Sequence, residues 1–281
     1  MTSTAVNRKT AILFLIISAS LWSTSGILLK ILDWQPLAVL AGRSFFSGLV
    51  FLAYLRYVPL RFSRWQWIAA ICSVATQLLY ISSIKMTSAA NAIFLQYTAP
   101  IYIIFLGYLF LREKPSRADW VAMLVIFAGL GLFFGDSLSI DGFWGNILAL
   151  VSGMTMALMT VAMRAQKDGS PAESFFLANL IGLAVGGYAL FQQPWTAGNL
   201  AGIAYLGIFQ IGLAFLLYSL AIKVIPALET TLIGTLEPIL NPLWVFLFIG
   251  ETPGPLALLG ALVVLVGVII SSIASARPEK E

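Results

Sequence analysis

The feature that most constrains the fold of this chain is a repeat at one fixed spacing. Short motifs between residues 78 and 129 recur 138 positions later, with no gap. The matched pairs are Leu78-Leu79-Tyr80 with Leu216-Leu217-Tyr218, Ile84-Lys85 with Ile222-Lys223, Pro100 with Pro238, Glu113 with Glu251, Pro115 with Pro253, and Gly129 with Gly267. A constant spacing over so many motifs predicts two related halves, residues 1–137 and 138–281.

The chain is too apolar for a water-soluble protein. Of its 281 residues 60% are hydrophobic and 10% are charged, whereas a soluble protein carries about 25% charged residues. The apolar runs are about twenty residues long, which is the length that a helix needs to cross a bilayer. Ten are predicted as helices, at residues 10–32, 36–56, 65–84, 88–111, 118–135, 142–164, 173–191, 199–221, 227–249 and 255–275. The predicted fold class is an all-α integral membrane protein with ten transmembrane helices.

The positions of Lys and Arg predict the orientation. With the N-terminus in the cytoplasm, thirteen of the sixteen Lys and Arg residues face the cytoplasm, while Lys30 and Lys85 lie outside and Arg43 lies within a helix. Because cationic loops stay on the cytoplasmic side, both termini are predicted there, in a multi-pass protein of the cytoplasmic (inner) membrane. Five helices per half is an odd number, so the halves form an inverted repeat. The net charge of +4 then reflects topology and gives no indication of nucleic-acid binding.

Several kinds of chemistry lack their residues in this sequence. The chain has no histidine and one cysteine, Cys72, so an intrachain disulfide is impossible and a zinc site of the common His/Cys type is nearly excluded. No phosphate-binding loop of the G-x-x-x-x-G-K-[ST] type is present, which argues against an ATP-driven pump. We therefore expect no metal, no cofactor and no catalytic residue.

The repeated motifs resemble the drug/metabolite transporter superfamily and, within it, the EamA family. The residues that carry the resemblance are Ala99-Pro100, Arg112-Glu113-Lys114 and Phe127-Ala128-Gly129 in the first half, Leu236-Glu237-Pro238, Gly250-Glu251-Thr252 and Val266-Gly267-Val268 in the second, and the opening helix from Ser20 to Lys30. The resemblance implies ten helices in two inverted halves and alternating-access transport of small organic metabolites, often export.

Glu237 is the most informative single residue. It lies about ten residues into the ninth segment, where insertion of an acidic residue costs about 2.5–3.5 kcal/mol. Thr230, Gly234, Glu237, Asn241 and Trp244 share one helical face. Glu237 and Asn241 are therefore predicted to line a path, in which Glu237 either carries a proton or binds a substrate ammonium. The alternative is a structural acid paired with another helix.

Arg43 is the one cation well inside a predicted helix. It is predicted to grip a substrate carboxylate or phosphate, to pair with Glu237 and lock one state, or to extend toward the outer interface. Further candidate substrate contacts are aromatic or amide residues of several segments, although aromatic side chains also serve as ordinary packing; they are Trp22, Tyr80, Gln96, Tyr97, Tyr218 and Trp244.

Three prolines interrupt helix hydrogen bonding and are predicted hinges, with static kinks as the alternative: Pro100, Pro238 and Pro242. Together these features predict a secondary transporter, with export of amino acids or related metabolites as the expected activity and proton coupling through Glu237 as a hypothesis. The alternatives are an exchanger of anionic or phosphorylated metabolites, an intramembrane enzyme and a channel. The expected partners are a small-molecule substrate, the lipid bilayer and protons, with the chain a monomer or a weak dimer.

Overall fold

The structure is a computed structural model and describes residues 6–24, 28, 32–56, 63–87, 89–135, 141–240 and 254–274. Within those ranges the chain is helical, with no β-strand. The α-helices are α1 (Arg8–Ser23), α2 (Pro36–Leu55), α3 (Arg64–Met86), α4 (Ala89–Gln96), α5 (Ala99–Leu111), α6 (Arg117–Phe134), α7 (Phe143–Arg164), α8 (Pro171–Leu190), α9 (Ala197–Tyr205), α10 (Ala214–Ala221), α11 (Ala227–Gly234) and α12 (Pro255–Ala274), and a π-helical segment, Leu206–Leu213, joins α9 to α10. The all-α fold class is confirmed for these residues.

Eight stretches of the described chain are long and apolar enough to cross a membrane. They are Pro36–Leu55, Arg64–Ile84, Asn91–Leu111, Arg117–Phe134, Phe143–Arg164, Pro171–Leu190, Ala197–Ala221 and Pro255–Ile273. They match eight of the ten predicted segments. Of the first predicted segment the structure describes helix α1, and of the ninth it describes α11 and the helical residues 236–240.

Local sequence sets several of the helix ends. Ser116 and Asp119 form a capping box at the start of α6: the Asp119 amide donates to Ser116 Oγ at 3.2 Å, and the Ser116 amide donates to Asp119 Oδ2 at 2.8 Å. Pro36 and Pro171 begin α2 and α8, because the first helical position needs no amide donor.

The principal helix contacts join one predicted half to the other. α6 packs on α12, α3 on α7, α2 on α8, and α1 on α10. Gly129 shows how close these contacts are, because a Cβ placed there would lie 2.8 Å from the Val264 nitrogen and 2.9 Å from the Gly260 oxygen. Residues 1–137 and 138–281 are therefore interleaved, so that a site at the centre of the bundle draws side chains from both.

Two helices are interrupted at positions matched by the repeat. A break after Gln96 separates α4 from α5, and α11 ends at Gly234 before helical geometry resumes at 236–240. Proline has no amide hydrogen, so Pro100 and Pro238 each leave the carbonyl four residues earlier, of Gln96 and of Gly234, without its helical donor. Each of the two predicted segments, 88–111 and 227–249, thus contains a break and not a continuous helix.

Candidate functional site

A central cavity of about 120 Å³ lies between the helices, next to both breaks. Its walls come from both predicted halves. The residues used below that line it are Trp22, Arg43, Gln77, Tyr80, Gln96, Tyr97, Thr160, Gln210, Phe215, Tyr218, Thr230, Gly234 and Glu237. Most of the exposed surface of its wall is apolar, and polar and charged side chains share this surface, a combination that is usual for a small-molecule site.

The acidic side of the cavity is built from the two helix breaks. Tyr97 lies in the break of the first half, and its hydroxyl donates to Glu237 Oε2 at 2.8 Å. The same hydroxyl lies 3.1 Å from the carbonyl oxygen of Gly234, which is the carbonyl that Pro238 leaves without a helical donor. The break of the first half therefore supplies the Tyr97 hydroxyl. The break of the second half supplies the Gly234 carbonyl and the Glu237 carboxylate, and both lie next to that hydroxyl.

The cation of the cavity is Arg43 on α2. The residue is 5% exposed, and its Nη2 donates to Gln77 Oε1 over a long 3.4 Å. The buried Arg43 Nε finds no hydrogen-bond acceptor among the described residues. A guanidinium stays protonated and carries five N–H donors, so this one retains donors that can bind an oxyanion.

The π-helical segment adds a second amide to the cavity. Gly207 lies against the backbone of α2, where a Cβ would be 2.9 Å from the Arg43 oxygen and 3.3 Å from its Cα. Gln210 follows three residues later and lines the cavity, and its buried Oε1 has no donor among the described residues. Short π-helical stretches are frequent at functional sites, and here the segment adds an unsatisfied acceptor to the cavity.

Arg43 and Glu237 face the same cavity without pairing. Both ion pairs between described residues lie elsewhere, at Arg8–Glu229 and Arg164–Glu113. One sequence-based alternative, in which Arg43 and Glu237 lock one state together, is therefore not the arrangement seen here. The cavity instead presents one cationic and one anionic group to a common space.

Aromatic rings form part of the cavity wall. The ring centroids of Trp22 and Phe215 are 5.0 Å apart, and those of Trp22 and Tyr218 are 5.8 Å apart. The Tyr218 hydroxyl donates to Thr160 Oγ1 at 3.0 Å, whereas the buried Nε1 of Trp22 has no acceptor among the described residues. The wall therefore combines apolar contact area with a free donor.

The structure brings most of the predicted site residues together. Seven of them line the central cavity: Glu237, Arg43, Trp22, Tyr80, Gln96, Tyr97 and Tyr218. Asn241, Trp244 and Pro242 lie outside the described residues. Pro100 and Pro238 are buried beside the breaks, and their predicted role as hinges stays a prediction.

Gln77, Gln210 and Thr160 are cavity residues that the sequence did not single out. Each is a neutral polar residue inside an apolar run, and such residues also occur wherever transmembrane helices hydrogen-bond to each other. Gln210 carried the clearest available signal, because its apolar surroundings from Leu206 to Leu217 contain no other amide. Gln77 lies on α3, the helix that also carries the predicted contact Tyr80.

Comparison with known proteins places this geometry in a family. The model of the EamA-like transporter family matches residues 9–135 and 143–273. YwfM of Bacillus subtilis (strain 168), an uncharacterized transporter, is 26% identical over 286 residues, covering 96% of this chain and 95% of YwfM. The threonine/homoserine exporter RhtA of Escherichia coli (strain K12) is 26% identical over 264 residues, covering 86% of this chain and 83% of RhtA.

A crystal structure with the same fold is also known. It superposes with a TM-score of 0.82 at 19% sequence identity, covering 97% of this chain and all of the other chain. At that identity the likeness concerns the fold alone.

Proposed function

Because the chain belongs to the EamA-like transporter family, we propose that it is a secondary transporter of a small zwitterionic metabolite, an amino acid or a related compound, which it exports. The observation that carries this proposal is that the central cavity holds two charges of opposite sign that do not form an ion pair with each other. Arg43 offers donors for a substrate carboxylate, and Glu237 offers a carboxylate for a substrate ammonium. RhtA, a relative that spans most of this chain, is a threonine/homoserine exporter by name.

The size and the charge of the cavity favour small zwitterions over the alternatives. Drug-sized ligands occupy pockets of about 300–1,000 Å³, whereas this cavity measures about 120 Å³. An exchanger of phosphorylated metabolites would be expected to gather several cations. Among the described residues that line the cavity, Arg43 is the only Lys or Arg.

We propose that the ten predicted helices form two inverted halves that rock around this cavity. The helix contacts support this arrangement. When each residue is replaced by the one 138 positions away, the contact of α3 with α7 becomes that of α10 with α1. The contacts of α2 with α8 and of α6 with α12 each become themselves. The two separate family matches, 9–135 and 143–273, support the same division. Inverted repeats of this kind provide two states that open to opposite sides.

The hinge proposal rests on the two helix breaks. The breaks beside Pro100 and Pro238 leave backbone that can change its dihedral angles without disrupting a continuous helix. They meet through the Tyr97–Glu237 hydrogen bond. Protonation of Glu237, or its neutralisation by a substrate ammonium, would change that contact and so couple ligand binding to the relative position of the breaks.

Transport by purified protein in liposomes tests the proposal. Labelled threonine and homoserine are compared with two analogues, one lacking the carboxylate and one lacking the amine, each with and without an imposed proton gradient. We expect saturable transport of the zwitterions and a loss of about 10-fold to 100-fold for either analogue, because each leaves one charged group of the site unmatched. Transport of phosphorylated metabolites in place of amino acids, or flux that does not saturate, would contradict the proposal.

Two variants assign the roles. Arg43→Gln should lower transport about 10-fold or more, since it removes the charge-assisted contact with the carboxylate. Glu237→Gln should remove the acceleration by a proton gradient. Arg117→Gln is the matched control, because Arg117 is an exposed residue that does not line the central cavity or the cavity next to it, and its loss should change neither property.

A further inference from the structure

A second cavity lies beyond the central one, at the end of the bundle that carries both ion pairs. We call this the basic end and define it by Arg8, Glu113, Arg164 and Glu229. The second cavity measures about 660 Å³. Its lining comes from the end of α5, the start of α6, the end of α7 and the start of α11, and it includes side chains of both charges.

The two cavities are stacked along the same helices. On α7, Thr160 lines the central cavity and Arg164 lines the second one; on α11, Thr230 lines the central cavity and Glu229 the second. Thr160 and Arg164 are four residues apart, which is about one helical turn, or about 5.4 Å. The barrier between the cavities is therefore thin.

Hydrogen bonds between α7 and α10 form this barrier in two steps. Tyr218 donates to Thr160 at the floor of the central cavity, at 3.0 Å. Four residues later on both helices, Arg164 Nη1 donates to the carbonyl oxygen of Ile222 at 2.9 Å and to that of Lys223 at 2.8 Å. Arg164 thus lies directly beneath the floor and holds the end of α10.

Glu113 ties this arginine to two further helices. Arg164 Nε donates to Glu113 Oε1 at 2.6 Å, and the first amide of α11, that of Ala227, donates to Glu113 Oε2 at 3.2 Å. One carboxylate and one guanidinium therefore fasten the ends of α5, α7 and α10 to the start of α11. Glu113 belongs to residues 1–137, and the other groups belong to residues 138–281.

We infer that the second cavity is the other half of the transport path, and that the Glu113–Arg164 pair is the latch that separates it from the central cavity. This inference rests on the proposed function, and it assigns the second cavity the same zwitterionic substrate. The pair remains accessible to water from the second cavity, since the Glu113 side chain is 28% exposed and that of Arg164 is 10% exposed. Water can therefore replace the contacts when the latch opens.

Accessibility of a reporter cysteine tests the latch without any substrate. In a Cys72→Ser background, Met159→Cys places a thiol in the central cavity, because Met159 lines it and lies five residues before Arg164. A charged, membrane-impermeant thiol reagent is added to either side of sealed vesicles. Lys114→Cys, at an exposed position of the basic end, identifies the side on which that end lies.

When the reagent is added on the side of the basic end, we expect Glu113→Gln to raise the labelling rate of the reporter by about tenfold, because it removes a charge-assisted contact that closes the path. Glu113→Asp, which keeps the charge but shortens the side chain, should raise it by less and gives a milder test if the first variant folds poorly. Asp119→Asn is the matched control: Asp119 lines the same cavity, but its carboxylate is bound within its own capping box. Its labelling rate should not change.

Unchanged labelling in both folded Glu113 variants would overturn the latch, as would an equal increase in Asp119→Asn. The outcome is independent of the transport assay. If the Glu113 variants are labelled faster but the protein transports no zwitterion, the latch is supported and the proposed substrate is rejected. If zwitterion transport is saturable but labelling is unchanged, the proposed substrate is supported and the latch is rejected.

Discussion

The two ends of the helix bundle are joined by different chemistry at positions that the repeat relates. At the basic end, Glu229 near the start of α11 pairs with Arg8 at 2.5 Å. At the opposite end, the residue 138 positions earlier is Asn91 near the start of α4, and its Nδ2 donates to Asn146 Oδ1 at 3.0 Å. In each case the partner comes from the first helix of the other half, α1 or α7. One end therefore has an ion pair where the other has a pair of amides.

This difference predicts unequal costs of opening. Separating a buried ion pair exposes two charges that must each be hydrated, and an unmatched buried charge is strongly unfavourable. A neutral amide pair exchanges its hydrogen bond for water with a net change of about 1 kcal/mol. We therefore expect the basic end to be the more firmly closed of the two, and substitutions at matched positions measure the difference.

The largest effect is expected at the latch. Arg164→Ala removes the ion pair with Glu113 and the hydrogen bonds to Ile222 and Lys223, and should lower the free energy of unfolding by about 3 kcal/mol. Chemical denaturation in detergent measures it. Lys167→Ala is the control: Lys167 lines the same cavity and its side chain makes no hydrogen bond with another described residue, so the loss of stability should stay within about 0.5 kcal/mol. Equal losses of unfolding free energy in the two variants would show that the ion pair and hydrogen bonds of Arg164 add no stability beyond that of an exposed cation.

A smaller effect is expected at the matched ion pair. Arg8→Gln removes the Arg8 cation from beside the Glu229 side chain, which is 1% exposed, and should lower the free energy of unfolding by about 2 kcal/mol. The double variant Arg8→Asn with Glu229→Asn copies the chemistry of the other end and leaves no buried charge behind. It should therefore lose less than the single variant does. A double variant that is less stable than Arg8→Gln would contradict this account of the basic end.

Much of the fold could be predicted from the sequence, because apolar run length is a local property that the bilayer requires. The eight described spans follow the predicted runs, and the breaks occur beside Pro100 and Pro238 because a missing amide hydrogen is also local. The π-helical segment Leu206–Leu213 could not be predicted in this way. Its geometry accompanies the close approach of Gly207 to α2, which depends on a helix far away in the chain.

The same distinction separates the predicted from the missed parts of the site. Glu237 and Arg43 stood out because a charge inside a membrane span is costly wherever it lies. Gln77 and Gln210 did not, because a neutral amide carries no comparable penalty and its role depends on what faces it. The partners of Glu113 could not be predicted either, because they are far away in the chain. Its Oε2 accepts from the amide of Ala227 at the start of α11. The helix that follows Glu113 in sequence, α6, is capped by Ser116.

The smallest effect is expected where the opposite end is held by amides. Asn146→Ala removes one acceptor of Asn91 Nδ2 and one of Thr87 Oγ1, which donates to Asn146 Oδ1 at 2.8 Å. Each donor keeps a second acceptor, which is Thr87 Oγ1 at 3.2 Å for Asn91 and the Asp141 carbonyl oxygen at 3.2 Å for Thr87. Single hydrogen bonds between transmembrane helices contribute about 1 kcal/mol or less, so the free energy of unfolding should fall by about 1 kcal/mol. When the reagent is added on the side of the basic end, the labelling rate of the reporter at Met159→Cys should not change, because the Glu113–Arg164 pair is intact. A loss as large as that of Arg8→Gln would mean that the two ends close with equal strength, and that the exchange of an ion pair for amides between matched positions has no bearing on which side of the bundle opens.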